Sequence, residues 1–261
     1  MGAAWLKGIV QVCRVPSTTV AFLIVLIPEW IRSRDLQWSL VVSAPLALFS
    51  ICIFILNDIQ DFERDQVNHP SRPLPSGVVT KEAAATVYLV AFVGSLGFIH
   101  FFIIPDLRYF YIGGLAVALN YGVVVEYAPK LKGVFVAVCA TFPLILLSVL
   151  GMSSPKLAPI AGVFAFILGR ELLMDIRDAA GDGDTAIKLV APRTATGIAF
   201  CLQAFALAAF SITATSIAEI VATVISVMIF AVVRFRWKNG RRKILLHLMK
   251  LQMLCALPFF I

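Results

Sequence analysis

Leu36-Gln37-Trp38-Ser39-Leu40-Val41-Val42-Ser43-Ala44-Pro45-Leu46-Ala47-Leu48-Phe49-Ser50-Ile51-Cys52-Ile53-Phe54-Ile55-Leu56-Asn57 contains no charged residue. The next eight residues, Asp58-Ile59-Gln60-Asp61-Phe62-Glu63-Arg64-Asp65, contain four acids and one base. A helix needs roughly 20 apolar residues to cross a bilayer, and this run meets that length. It therefore reads as a spanning helix with a carboxylate-rich end. The rest of the reading follows from asking how often such runs recur and what the acids are for.

They recur along the whole chain. Ala83 to Pro105 and Gly133 to Pro155 are equally free of charge, and Tyr109 to Val125 is a shorter run. Leu157 to Met174 spans if Arg170 and Glu171 lie inside the bundle. Thr194 to Val233 is broken only by Glu219 and reads as two helices, with Val15 to Ile31 opening the series and Ile244 to Ile261 closing it. The expected fold is an all-α integral membrane protein of nine transmembrane helices, or eight if an end segment lies along the interface, in one domain over residues 1–261. The opening helix reads as retained: no A-x-A-like site follows it, and Ile27-Pro28-Glu29-Trp30 resembles an interfacial anchor.

Composition agrees. Of 261 residues, 60% are hydrophobic and 14% charged, too few polar side chains to cover a soluble globule. Mean hydropathy is +0.93. Disorder is excluded by the same numbers. With nine spans, sixteen Lys and Arg fall on the side of the N-terminus and four (Arg32, Arg34, Arg108, Lys156) on the other. The positive-inside rule makes the first side cytoplasmic. The net charge of +7 then reports topology and lipid headgroups rather than nucleic acid. The five cysteines are scattered and the three histidines equally so, which supports neither a zinc site nor a histidine-based triad.

Nine of the 15 acids fall in two windows, 58–65 and 171–184. On a helix, Asp58, Asp61 and Asp65 lie within about 60° of one another, and so do Glu171, Asp175, Asp178 and Asp182. Both windows end spans on the cytoplasmic side. Like charges stacked at i,i+3 and i,i+4 repel, and in low dielectric they require bound cations. Solvated helix ends would not select one face. The alternating acids of a calcium loop are absent, and a glycosidase needs only two carboxylates. Oxygen ligands alone suit Mg²⁺, which keeps several waters and favours substrate phosphate. The implied ligand is a diphosphate held through Mg²⁺ between two acidic walls.

Cations for the phosphate lie nearby in sequence. Asn68-His69-Pro70-Ser71-Arg72-Pro73-Leu74-Pro75-Ser76-Gly77 is a proline-stiffened loop that fixes Arg72 near the first acidic end. Glu126-Tyr127-Ala128-Pro129-Lys130-Leu131-Lys132 closes the fourth span, and Arg177, Lys188 and Arg193 follow the sixth. The cluster from Arg234 to Lys243 has no accompanying acids and reads as headgroup contact.

Asn57-Asp58-x-x-Asp61-x-x-x-Asp65 followed by Asn68-x-Pro70-x-Arg72-Pro73-x-Pro75-Ser76-Gly77 resembles the first signature of the UbiA-type intramembrane prenyltransferases. Arg170-Glu171-x-x-x-Asp175-x-x-Asp178-x-x-Gly181-Asp182 resembles their second, and Tyr127 with Leu131-Lys132 is similar to the end of the family's fourth helix. The resemblance implies nine helices around a central lipid-accessible cavity, Mg²⁺ as cofactor, and a prenyl diphosphate substrate. It implies Asp58, Asp61, Asp65, Glu171, Asp175, Asp178 and Asp182 as metal ligands. Asn57, Arg72, Lys130, Lys132 and Lys188 would bind diphosphate, and Tyr127, with Lys132 and Arg72, would act at the allylic cation and its leaving group. The expected reaction is transfer of the prenyl group to a lipophilic acceptor, aromatic or lipid, within the membrane. The alternative is a terpene cyclase that uses no acceptor. Two departures bear on that choice: the loop after Asp182 lacks the commoner Thr-Leu-Pro stretch, and Gly133-Val134-Phe135 lacks the Gly-Asn often seen in members that prenylate aromatics or glycerol lipids. A carrier or channel is disfavoured because the acids sit at one surface rather than at the midplane.

Overall fold

A computed structural model describes residues 2–150, 157–178, 191–237 and 242–260. The described residues are helical, with no strand among them. They form two compact units, one running to Tyr127 and the other starting at Ala128.

The first unit contains α1 (Gly2–Val12), α2 (Val15–Ser33), α3 (Leu36–Gln60), α4 (Phe62–Asn68), α5 (Lys81–Phe102), α6 (Pro105–Leu119) and α7 (Tyr121–Tyr127). The α2–α3 hairpin is fixed at its turn by local chemistry. Asp35 caps α3 by accepting from the Trp38 N–H at 2.9 Å, a contact that satisfies one of the helix's orphan donors. Glu29, buried near the end of α2, accepts from Arg32 Nε at 2.8 Å and from Trp38 Nε1 at 2.9 Å. A carboxylate in an apolar hairpin is tolerable because those donors satisfy it. Thr80 caps α5 through the Ala83 N–H.

The second unit contains a 3-10 turn at Pro129–Leu131, then α8 (Lys132–Val149), α9 (Leu157–Asp178), α10 (Pro192–Thr213), α11 (Ile217–Arg236) and α12 (Arg242–Leu254). α9 lies at its centre, against α8 and α10. Glycines set that approach. A Cβ at Gly169 would stand 2.7 Å from the Ala199 carbonyl oxygen, and one at Gly162 would stand 3.3 Å from that of Ala206. Two contacts seven residues apart on each helix make a small-residue seam, the usual way apolar helices approach closely in lipid. Ser216 and Glu219 form a reciprocal capping box at the start of α11.

Among the described residues eight helical stretches are long and apolar enough to cross a membrane, with α6 and α7 counting together as Pro105–Tyr127. The ninth expected span, Ile244 to Ile261, differs. α12 has 13 residues and is followed by a short 3-10 turn at Leu257–Phe260. At 1.5 Å per residue α12 reaches about 20 Å, short of the roughly 30 Å hydrocarbon core. The fourth span is longer than its charge-free run because Pro105 starts the helix before Arg108. α1 was not expected. It buries Gly8 and Val12 and leaves Trp5, Leu6 and Val10 exposed, the arrangement of a helix lying in an interface.

Candidate metal and diphosphate site

In the first unit the acidic window is not one helix. α3 ends at Gln60 and α4 starts at Phe62, with Asp61 between them at φ −85° and ψ 8°. The hydrogen-bond ladder nevertheless runs through: the Asp61 N–H donates to the Asn57 carbonyl and the Asp65 N–H to the Asp61 carbonyl, both at 2.8 Å. Helical phase is therefore kept across the junction. Asp58 and Asp65 are buried and Asp61 is partly so.

Each of these acids meets its own cation. Arg72 Nη1 donates to Asp65 Oδ2 at 2.5 Å, Arg64 Nη1 to Asp61 Oδ1 at 2.8 Å, and the Arg14 guanidinium to Asp58. The loop that carries Arg72 is a chain of turns. His69 N–H bonds the Asp65 carbonyl, Arg72 N–H that of His69, and Ser76 N–H that of Arg72. Gly77 closes it at φ +73°, a conformation open to glycine without penalty. Leu74 and Val79 then anchor the loop in an apolar cluster with Val12, Cys13, Ile55 and Ala84.

Arg14, one of the sixteen cations counted on the side of the N-terminus, also takes a place at the site. The structure places it in the left-handed region, at φ 45° and ψ 47°, as the residue before α2. That conformation costs a non-glycine residue roughly 1 kcal/mol or more. It sets the guanidinium 5.0 Å over the Phe54 ring and onto Asp58. The sequence signal was a lone cation directly before a proline-started span. Gln11, Arg14, Asp58, Ser71, Arg72 and Pro73 together line a cavity of about 200 Å³. Two guanidinium groups and a carboxylate in one small cavity suit a polyanion bridged by a cation.

In the second unit the pattern repeats. Lys132 Nζ donates to Asp175 Oδ1 at 2.9 Å, with side chains 18% and 4% exposed. Arg170 Nη1 donates to the buried Glu171 at 2.8 Å, and Arg177 holds Asp178 in a fork, its Nε at 2.6 Å. Gly133 lets the first turn of α8 approach α9, since a Cβ there would sit 3.4 Å from Glu171 Cβ. Lys130 is exposed, and Tyr127 is 77% exposed at the end of α7. Asp182 and Lys188 lie outside the described residues, within the stretch 179–190.

Among the described residues no three acids or imidazoles converge closely enough to hold a metal unaided. That suits Mg²⁺, which takes one or two carboxylates and leaves its other positions to water and phosphate. Two orphaned buried atoms point the same way. Among the described residues Asn57 Oδ1 has no hydrogen-bond partner, and neither has Arg170 Nε. One is an acceptor beside the first set of acids and the other a donor beside the second, and such groups are costly unless a ligand satisfies them. The all-oxygen donor set and these orphans fit a hydrated hard cation with a phosphate ligand.

Comparison with known proteins extends beyond these motifs. Residues 15–254 match the model of the UbiA prenyltransferase family. Digeranylgeranylglyceryl phosphate synthase from Methanosphaera stadtmanae is 35% identical over 153 residues, covering 52% of this chain and 53% of that protein. The Sulfolobus acidocaldarius enzyme of the same name is 32% identical over 149 residues, covering 53% and 50%. The chain thus spans about half the length of these curated relatives. The Methanoregula boonei enzyme of that name is 28% identical over 213 residues, covering 76% and 74%. Among solved structures, the apo form of a UbiA homolog from Aeropyrum pernix K1 superposes with a TM-score of 0.74 at 18% identity, over 92% of this chain and 95% of that one. At that identity the likeness speaks for the fold. None of these findings favours the cyclase alternative.

Proposed function

The chain belongs to the UbiA prenyltransferase family, and from that premise we propose that it transfers a prenyl group from a prenyl diphosphate to a lipid acceptor in an Mg²⁺-dependent reaction. A lipid acceptor is preferred to an aromatic one because the curated relatives are named for a glyceryl phosphate product. The observation that carries the reading is the pairing just described: at the end of an apolar span in each unit, acids one helical turn apart each face a cation.

The ligands would be drawn, one or two carboxylates to each Mg²⁺, from Asp58, Asp61, Asp65, Glu171, Asp175, Asp178 and Asp182, and Asn57 would add an amide oxygen or orient the phosphate. Bound Mg²⁺ would neutralise charge on the departing diphosphate. Arg72 and Arg14 in the first unit, and Lys130, Lys132 and Lys188 in the second, would bind phosphate oxygens as the carbon–oxygen bond breaks. Such fixed donors stabilise charge as it develops without needing to reorganise. Tyr127 would present its ring to the allylic cation, which an aromatic face attracts. The acceptor hydroxyl would then close the new carbon–oxygen bond and release its proton. The acidic ends would face the cytoplasm, as the distribution of Lys and Arg suggests.

The test is incubation of purified protein with prenyl diphosphates of ten to twenty carbons, with and without a prenylated glyceryl phosphate acceptor, and with Mg²⁺ or EDTA. Diphosphate consumed only with acceptor and metal supports the proposal. Metal-dependent release of a cyclic hydrocarbon without acceptor would overturn it.

A further inference from the structure

The last 42 residues, Ile220 to Ile261, contain seven Lys and Arg and no acid. The remaining 15 Lys and Arg equal the 15 Asp and Glu, so the chain's entire net charge of +7 resides in this segment. Seven cations elsewhere, Arg14, Arg32, Arg64, Arg72, Lys132, Arg170 and Arg177, each lie on a carboxylate. Among the described residues no carboxylate pairs with Arg234 or Arg236. The acid of their own helix, Glu219, is at its far end, occupied in the capping box.

Arg234 is also held in place. The Arg234 guanidinium stands 5.0 Å over the Phe200 ring of α10. Phe200 meets the buried Trp237 edge-on at 6.3 Å and Phe230 at 5.9 Å. Phe235 between the arginines is 87% exposed. Buried Trp, exposed Phe and guanidinium groups at the end of a spanning helix are the composition of a membrane–water boundary. Within the second unit the chain direction puts this end on the same face as Asp178, since α9 ends there, α10 starts there, and α11 returns to it.

We propose that the end of α11, Arg234-Phe235-Arg236-Trp237, binds the phosphate-bearing headgroup of an anionic phospholipid, with Phe235 in the acyl boundary beneath it. The occupant is a lipid rather than a soluble anion because the cations flank an exposed aromatic at the end of an apolar helix. Among the described residues neither arginine has a carboxylate partner, and an anionic headgroup complements that charge. Basic residues beside a spanning helix attract anionic lipid in this way.

Full-length protein in neutral detergent is titrated with short-chain phosphatidylglycerol or phosphatidylcholine, and bound lipid is counted by native mass spectrometry. Phosphatidylglycerol should be preferred by about fivefold for each arginine engaged. The preference should collapse in Arg234→Gln/Arg236→Gln and survive in Arg234→Lys/Arg236→Lys, which keeps the charge and controls for misfolding. Lys7→Gln/Lys81→Gln removes two charges elsewhere and should leave the preference intact. Equal binding of both lipids by the natural sequence overturns the proposal. So does an undiminished preference in the Gln variant, or an equal loss in the Lys7/Lys81 variant. Complete displacement by equimolar inorganic phosphate also overturns it, because the site would then take free phosphate.

Discussion

Lys132→Met should destabilise the protein far more than Lys132→Met combined with Asp175→Leu. In the native chain Lys132 Nζ lies 2.9 Å from Asp175 Oδ1, and the carboxylate side chain is only 4% exposed. Removing the ammonium takes a close cation from a desolvated carboxylate, and breaking such a pair costs about 3–5 kcal/mol where both partners are buried. Lys132 is 18% exposed, so water partly screens the pair and the lower end, about 3 kcal/mol, is expected. Replacing both partners with apolar residues of similar volume removes the buried charge itself and should recover most of that loss. The coupling between the two positions should therefore exceed about 1 kcal/mol. The assay is SDS-driven unfolding of purified protein, with midpoints compared across the two single variants and the double. Prenyl transfer, measured in parallel, should be lost in all three, so that the double variant is folded and inactive. Additive effects of the two substitutions, or a Lys132→Met loss under about 1 kcal/mol, would refute the buried-pair reasoning.

Gly169→Val should cost about 1–3 kcal/mol by overpacking, because its Cβ would stand 2.7 Å from the Ala199 carbonyl oxygen, whereas Gly97→Ala, with nothing within 4 Å, should stay within about 0.5 kcal/mol in the same assay. Asp61→Asn and Asp175→Asn should each remove most turnover. Their combination should cost much less than the product of the single effects, since residues that act as a unit are non-additive; multiplicative losses would mean that the two sets of acids serve separate steps. Burial raises the Cys13 thiol above its ordinary pKa, so less thiolate is present at any given pH, and maleimide should label it only upon unfolding. Gln66→Cys should react with an impermeant maleimide only in opened cells, and labelling of intact cells would reverse the orientation.

Spans were readable from sequence because lipid imposes a one-dimensional requirement: about 20 residues without charge, whatever they pack against. Helical phase within the first acidic window was readable for a similar reason, and it survives even the break at Asp61. What each acid meets was not readable. Arg14 is 44 residues from Asp58, and Lys132 is 43 from Asp175. Nothing local to either member of those pairs selects its partner. A left-handed turn before α2 and the glycine at the start of α8 do that in three dimensions. The sequence likewise showed a basic end to the last long span, but not that Arg234 is held on Phe200 while its neighbour Phe235 faces outward. Periodicity and charge are properties of a segment, and the sequence determined everything that depends on them alone. Ion pairs, the cavity at Arg14 and the seam between α9 and α10 depend on close approach between segments. Only packing decides which of the available cations and glycines come within reach.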